Sequence, residues 1–258
     1  ITILKNKDKI VSTGFNIALN QAKGDIIIRV DGHCEIPNSY LKNCVKNLTN
    51  KKADIVGGKI NTISSGIIGN AISIAQSSRF GTGNVKFRNK SYNKSDYVDT
   101  LAFGAHKRNI FVDIGGYDEE MVQNQDDEFN YRAIQAEKKI WLDSTIQTNY
   151  YSRSSFNSLL KQYYFYGFYK VRGLQKRKSV FSIRHIIPAM FILSLIITVL
   201  LNPLIKNIYF PLLIILPYLF INMMFSAYNT ISLLMMPYIS LSYIVMHISY
   251  GIGYIIGL

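Results

Sequence analysis

The last 73 residues constrain the fold more than any other feature, because residues 186–258 carry a single formally charged side chain, Lys206. Apolar runs occupy 186–201, 209–227 and 231–258 of this segment. A membrane-spanning helix needs about 20 largely apolar residues. The sequence therefore predicts three transmembrane helices, with two spans and a re-entrant segment as the alternative, and it excludes a wholly soluble protein.

Charge is distributed unevenly before these runs. Residues 1–143 contain 20 basic and all 16 acidic side chains, whereas residues 144–185 contain eight basic and no acidic ones. Five basic residues lie shortly before the first run: Arg172, Lys176, Arg177, Lys178 and Arg184. Positive charge beside a span stays on the cytoplasmic side. We therefore expect a multi-pass protein of the cell (inner) membrane with a cytoplasmic N-terminal part, where Cys34 and Cys44 would be free thiols.

Hydrophobic periodicity predicts alternating helices and strands in the N-terminal part. We expect a helix capped by Ser12, and a helix after Pro37 with Leu41, Val45 and Leu48 on one face. Strands are predicted at 26–30, 53–60, 140–142 and 145–150, a loop at 81–99 and a helix at 125–136. Helices alternating with continuous apolar strands are typical of a parallel sheet covered on both faces.

This pattern divides the chain into an α/β domain at 1–152, a basic and aromatic linker at 153–185 and a membrane domain at 186–258. The chain opens on Ile1 with no signal peptide. It begins directly in a strand-like run, so we expect the true start to lie upstream.

The first candidate site is the sequence Asp31-Gly32-His33, which follows the strand predicted at 26–30. Ligands of open parallel sheets bind beyond the carboxyl ends of the strands. A carboxylate and an imidazole two residues apart form a partial ligand set for Mg²⁺ or Mn²⁺, which substrate phosphates and water would complete. The alternative is that Asp31 is an ordinary turn residue.

A second candidate is the acidic run at 125–128, where the helix predicted at 125–136 begins. One of these carboxylates could act as a general base. The alternative is a solvated acidic first turn that the helix dipole favours.

The region before the first span is crowded with aromatic residues. Residues 159–170 contain six Tyr or Phe side chains between basic residues, which predicts an amphipathic helix at the membrane interface. His247 lies inside the third predicted span and is either a functional group or a neutral imidazole bonded to another helix.

Several motifs resemble family 2 glycosyltransferases. The sequences GFN at 14–16, AKGDII at 22–27 and DGH at 31–33 are similar to the middle of the nucleotide-diphosphosugar fold of that family. GGYDE at 115–119 and QDDEFNYR at 125–132 are similar to its second acidic motif. The Gln162-Tyr163 and Tyr166-Gly167 pairs before an apolar tail resemble the membrane-attached succinoglycan glucosyltransferase branch.

The resemblance implies a GT-A fold, a Rossmann-like α/β domain, here lacking its first strand and followed by transmembrane helices. It implies that Asp126 is the catalytic base and that Asp31 and His33 hold a divalent metal, with His33 standing where the family has a second Asp. It implies that Asp31, Gln125, Arg132 and Gln162 bind substrate. Phe165 and Tyr166 replace the Arg and Trp of processive members, which argues against a processive synthase.

The implied function is inverting transfer of a sugar from a nucleotide-diphosphosugar, such as a UDP-hexose, to a lipid-linked saccharide acceptor in bacterial surface-polysaccharide synthesis. Membrane lipids are the expected further partners, since the basic residues lie beside apolar and aromatic runs rather than in a nucleic-acid-binding pattern. The alternative is an inactive membrane-anchored nucleotide-sugar-binding or scaffold protein. A zinc site and a transporter are disfavoured, because the Cys and His residues lack zinc spacing and the spans carry one formal charge.

Overall fold

The structure, a computed structural model, describes residues 1–177, 183–207 and 209–258. The helices are α1 Val11–Gln21, α2 Tyr40–Asn50, α3 Gly66–Gln76, α4 Arg79–Thr82, α5 Asn109–Ile114, α6 Gln125–Gln135, α7 Phe156–Arg177, α8 Ile187–Ile205, α9 Leu212–Asn229 and α10 Met236–Gly257. The strands are β1 Ile26–Ile28, β2 Cys34–Glu35, β3 Ile55–Ile63, β4 Asp96–Tyr97, β5 Ala105–Lys107 and β6 Ile140–Tyr151.

These elements form two compact units. The first unit contains Ile1–Asn61 and Lys86–Tyr151, and the second contains Thr62–Val85 and Ser152–Leu258. The predicted first domain, 1–152, included the segment Thr62–Val85, which in the structure belongs to the second unit.

The first unit is a mixed α/β fold built on one curved sheet. Among the described residues the sheet has six strands in the order β1-β5-β3-β6-β2, with β4 also paired to β6. The β1–β5, β3–β5, β2–β6 and β4–β6 pairs are antiparallel. The expected parallel pairing is therefore wrong for these neighbours, because the late strands β5 and β6 insert between the early ones. A continuous apolar run indicates that a strand is buried on both faces of its sheet. It does not indicate whether the neighbouring strands run parallel or antiparallel to it.

The core of the first unit lies where α2 packs on the sheet. Tyr40, Cys44 and Leu48 of α2 are buried with Val56, Ala105 and Ile146 of the strands. The predicted apolar face of this helix is therefore partly wrong, since Leu41 and Val45 are 52% and 44% exposed. The predicted 3.6-residue period is correct. The buried face includes Tyr40 and Cys44, each one residue before the predicted Leu41 and Val45.

Other boundaries also shift. Helix α1 begins at Val11 with Ile10 at its N-cap, so the predicted cap Ser12 lies inside the helix. The Ser12 hydroxyl is buried and donates to the Met121 carbonyl over 3.2 Å. The two strands predicted at 140–150 form the single strand β6.

Helix α10 is the centre of the second unit. Gly167 of α7 and Gly253 of α10 lie against backbone of the facing helix, and a Cβ at either position would collide with a carbonyl oxygen, that of Tyr250 or Tyr164. Ala71, Ile72 and Ala75 of α3 pack with Tyr243 and Met246 of α10 in one apolar cluster. Small residues thus let the α7 and α10 backbones approach closely.

Neutral hydrogen bonds connect the polar side chains inside this unit. His247 lies 3.0 Å from the Tyr218 hydroxyl through Nδ1 and 2.8 Å from the Phe80 carbonyl through Nε2. The Tyr243 hydroxyl donates to Ser78 over 2.9 Å. His247 is therefore hydrogen-bonded to neighbouring helices, which agrees with the alternative that it is a structural imidazole rather than a functional group.

Three helices in the described residues are long and apolar enough to cross a membrane: Ile187–Ile205, Leu212–Asn229 and Met236–Gly257. This confirms the predicted candidate spans. The aromatic run lies on α7, where Leu160 and Phe165 are about half exposed, and its position at a membrane interface stays a prediction. Lys178, one of the five basic residues before the first span, lies outside the described residues.

Candidate functional site

The sequence Asp31-Gly32-His33 lies at an open cleft of the first unit. The cleft has a volume of about 680 Å³ and is lined by residues of α1, by β1 and by the segment from Arg29 to His33. A Cβ at Gly32 would meet no atom within 4 Å, so the turn faces open space. The end of β1 thus places two predicted site residues, Asp31 and His33, at one cavity.

Arg29 connects this turn to the interior. Its Nε lies 2.8 Å from Asp31 Oδ1, its Nη2 donates to Asp31 Oδ2 over 3.2 Å, and its Nη1 donates to the Tyr117 hydroxyl over 3.2 Å. Its side chain is only 11% exposed. Burial acts to lower the pKa of Arg29, but Tyr117, Asp126 and Asp31 outweigh burial and raise it above the ordinary value.

Asp126 belongs to the same electrostatic cluster. Burial raises the pKa of Asp126, the charge of Arg29 opposes that rise, and Asp127 and Asp31 add to it. Asp126 lies in the first turn of α6, where its Oδ1 accepts from the Asp127 backbone N–H over 3.0 Å. The two predicted carboxylates, Asp31 and Asp126, therefore interact with each other and with one arginine. Among the described lining residues the cleft includes Asp31 but not Asp126.

Gln125, the residue before Asp126, is 8% exposed. Its side-chain oxygen is buried and accepts no hydrogen bond from any described residue. An unsatisfied buried acceptor is costly, so it marks a place where a water or a ligand group would be stabilised.

The loop that carries Tyr117 is held by α1. Asn16 donates to the Tyr117 carbonyl over 2.8 Å and accepts from the Tyr117 N–H over 2.9 Å. A Cβ at Gly116 would collide with the Asn16 side chain. The Tyr117 ring stacks on Phe15 with a centroid distance of 4.2 Å. The GFN and GGYDE motifs therefore contact each other and fix Tyr117 beside Arg29.

Arg132 holds the other side of that loop. Its Nε and Nη2 each donate to Glu128 over 2.8 Å, Nη2 also donates to the Gly116 carbonyl over 2.7 Å, and Nη1 donates to the Ile114 carbonyl. Glu128 is almost completely buried. This predicted substrate-binding residue is therefore engaged within the fold, where it positions the loop before Tyr117.

Asp31 and His33 offer one carboxylate and one imidazole to a metal ion. Within the described ranges there is no group of three or more His, Cys, Asp and Glu side chains suited to a metal. Mg²⁺ is usually held by one or two carboxylates together with substrate phosphates and water. The pair therefore fits a partial ligand set that a diphosphate would complete, although Arg29 holds both Asp31 oxygens in this structure.

Gln162 lies on α7 in the second unit. Its side-chain nitrogen donates to the Tyr166 hydroxyl over 2.9 Å, and its oxygen lies 3.5 Å from the Gln76 side-chain nitrogen. These contacts orient the Gln162 amide within the helical unit.

Reasoning from the sequence missed Arg29 and the role of Tyr117. A signal was present, because Arg29 interrupts the apolar run Ile26-Ile27-Ile28-Arg29-Val30. A charged residue in a strand predicted to be buried needs a partner, and the nearest carboxylate along the chain is Asp31. The distant partners, Tyr117 and Asp126, depend on tertiary contacts that no local pattern reveals.

Comparisons with known proteins give a consistent result. Residues 1–112 match the family model described as glycosyl transferase family 2. The chain is 27% identical over 190 residues, 73% of its length, to succinoglycan biosynthesis protein ExoA of Rhizobium meliloti. It is 28% identical over 207 residues, 77% of its length, to a dolichyl N-acetyl-α-D-glucosaminyl phosphate 3-β-D-2,3-diacetamido-2,3-dideoxy-β-D-glucuronosyltransferase of Methanococcus voltae. The matched regions cover 57% and 63% of these relatives, so the chain spans less than two thirds of their length.

Proposed function

We propose, from the premise that this chain belongs to glycosyl transferase family 2, that it transfers a sugar from a nucleotide-diphosphosugar to a saccharide acceptor. The donor is a UDP-hexose, the acceptor is lipid-linked, and the product is a bacterial surface polysaccharide or its precursor. The anomeric configuration is inverted.

One observation carries this proposal: Arg29 pairs with Asp31 beside the cleft, and its charge also acts on Asp126. Two carboxylates and one arginine thus form a partly buried electrostatic cluster beside the end of β1. Perturbed titratable groups next to a cleft are typical of catalytic sites. Sugar transfer requires a general base and a group that binds the diphosphate of the donor. The cluster offers carboxylates for both tasks.

Asp126 is the general base of this reaction. Burial raises the pKa of its carboxyl group, and a base becomes stronger as its pKa rises towards the working pH. Asp126 takes the proton of an acceptor hydroxyl while that oxygen attacks the anomeric carbon. The bond from this carbon to the diphosphate oxygen breaks, and its electron pair leaves with the nucleoside diphosphate. A single displacement inverts the anomeric centre.

Asp31 and His33 would hold the divalent metal ion, Mg²⁺ or Mn²⁺, that is general in this family. A bound ion of this kind supplies Lewis-acid stabilisation to the leaving diphosphate. Gln125 presents its unpaired oxygen to a substrate hydroxyl. Arg132 acts by holding the Tyr117 loop, and substrate binding by Gln162 stays a prediction.

The membrane helices support a lipid-linked acceptor. Three described helices are suited to cross a membrane, and the name of the Methanococcus relative describes transfer to a dolichyl-phosphate-linked sugar. We place residues 1–152 and 153–185 in the cytoplasm and residues 186–258 in the inner membrane, because the basic residues precede the first span. Anionic lipid head groups attract such residues at about 1 kcal/mol each.

The test compares Asp126→Asn with Asp127→Asn in the full chain in detergent. Both substitutions remove one carboxylate from the same helical turn. We expect Asp126→Asn to lower the rate of UDP release with candidate UDP-sugars by about 10² to 10⁴, with UDP binding unchanged. Asp127→Asn should retain most of the activity. Equal activity of Asp126→Asn and the unaltered chain would remove Asp126 from its role, and UDP binding without any turnover would favour the inactive binding protein.

A further inference from the structure

A second arginine, Arg88, contacts the same aromatic ring as His33. It belongs to the segment between α4 and β4, and its neighbours Phe87 and Asn89 are buried. The Phe87 carbonyl accepts from the Ile60 N–H of β3 over 2.8 Å, and the Asn89 side chain accepts from the Ser91 N–H over 3.0 Å. These contacts on both sides of Arg88 fix its backbone against the sheet.

The Tyr150 ring contacts both the Arg88 side chain and His33. The guanidinium carbon of Arg88 lies 5.0 Å from the Tyr150 ring centroid. The His33 ring meets the same Tyr150 ring edge-on, also at 5.0 Å. Tyr150 in turn pairs across the sheet with Cys34, the residue after His33. Arg29 is therefore bonded to Asp31 at one end of Asp31-Gly32-His33, and His33 at the other end shares the Tyr150 ring with Arg88.

The charges near the cleft indicate how Arg88 could take part in donor binding. Arg29 is committed to Asp31 through two short contacts, and Asp126 adds a second carboxylate to the cluster. A diphosphate brings further negative charge to this turn, and a cation in addition to the proposed metal ion would stabilise it. Arginine suits it, because the planar guanidinium donates two parallel hydrogen bonds to phosphate oxygens. Stacking on Tyr150 also limits the side-chain freedom that Arg88 would lose on binding.

We propose that Arg88 is a substrate-binding residue whose guanidinium contacts the diphosphate of the nucleotide-sugar donor next to His33. This inference rests on the proposed function. It assigns part of the affinity for the donor to a side chain outside the motifs at 31–33 and 125–132. Tyr150 is the positioning residue that holds Arg88 there.

The experiment measures binding of UDP, inorganic pyrophosphate and uridine to the full chain in detergent by isothermal titration calorimetry, with EDTA and with Mn²⁺. Arg88→Gln is compared with Lys90→Gln, which removes the same charge from an exposed position two residues away. We expect Arg88→Gln to weaken UDP and pyrophosphate binding about 10-fold to 100-fold under both conditions. Uridine binding should not change, and Lys90→Gln should affect none of the three ligands.

A second variant and a folding control distinguish loss of a specific contact from loss of structure. Arg88→Lys retains the charge without the planar fork and should show an intermediate loss. Fluorescence of Trp141, the one tryptophan of the chain, reports whether the first unit remains folded. UDP binding that is unchanged in Arg88→Gln, equally weakened in Lys90→Gln, or lost together with uridine binding would overturn the role of Arg88. An unaltered chain that binds no UDP would instead overturn the proposed function.

Discussion

Two arginine–carboxylate pairs in the first unit have little solvent exposure and differ in what surrounds them. Arg132 pairs with Glu128 and also donates to the carbonyls of Ile114 and Gly116. Arg29 pairs with Asp31, and its other contacts are the Tyr117 hydroxyl and the faces of Phe103 and Tyr117. The first pair is enclosed by backbone, and the second is next to an open cleft.

The two pairs differ in how accessible they are to a ligand. Glu128 is 2% exposed, and most N–H groups of its arginine donate to Glu128 and to fixed backbone carbonyls, so this pair has little hydrogen-bonding capacity left for a ligand. The Asp31 side chain is 19% exposed at the cleft, and its arginine acts on a second carboxylate, Asp126. Sequence spacing alone gives Arg132 and Asp31 similar standing as site residues, whereas their surroundings assign them different tasks.

The largest expected effect comes from Arg132→Ala. This change leaves Glu128 buried without its counter-ion and two loop carbonyls without donors. Breaking a buried pair in this way costs about 3 to 5 kcal/mol of unfolding free energy. Thermal or denaturant unfolding followed by Trp141 fluorescence measures this loss. A double variant, Glu128→Leu with Arg132→Met, should recover only part of it, because the carbonyls of Ile114 and Gly116 stay unpaired.

Arg29→Ala should destabilise the first unit less, by about 1 to 3 kcal/mol. Water in the cleft can solvate Asp31 after the arginine is removed, which it cannot do for Glu128. The same change should abolish sugar transfer, whereas Arg132→Lys should retain measurable activity. If Arg29→Ala costs as much stability as Arg132→Ala, the two pairs do not differ in the proposed way.

The sequence predicts the parts of the fold that have a strong local pattern. The long apolar helices α8, α9 and α10 and the amphipathic helix α6 fall close to their predicted positions. Helix α3 was missed, because Gly69, Ala71, Ile72, Ser73, Ala75 and Gln76 are all buried and leave no clear polar face. Strand β5 was also missed, since Ala105-His106-Lys107 has no apolar alternation and is a strand only through its two neighbours.

The candidate site was predictable only in part. Asp31 and Asp126 could be located because each follows a recognisable strand end or helix start. Their connection through Arg29 could not, because it joins residues almost 100 positions apart. Arg88 and Tyr150 are also distant in the chain, so their contact could not be predicted from the sequence either.

A smaller effect is expected for Tyr117→Phe. The change removes the hydroxyl that accepts from Arg29 but keeps the ring that stacks on Phe15. Loss of one such bond costs about 0.5 to 1.5 kcal/mol. Tyr92→Phe is the control, because the Tyr92 hydroxyl donates to the exposed Asp96 and its loss should be close to neutral. Equal unfolding temperatures for Tyr117→Phe and Tyr92→Phe would show that the Arg29 cluster does not depend on Tyr117.

The smallest expected effect is a pH dependence of stability that Asp126 alone produces. Burial raises the pKa of this carboxyl group in the folded chain, so its contribution to stability is most favourable below the ordinary pKa of Asp and is lost as the pH rises through the folded value. Asp126→Asn should therefore raise the unfolding temperature at neutral pH, and the gain should disappear in acid. The gain should increase in an Arg29→Gln background, because Arg29 is the charge that opposes the rise. If the rise in unfolding temperature were independent of pH, ionisation of the Asp126 carboxyl group would not be its cause. The Arg29 cluster would then resemble the pair of Arg132 and Glu128.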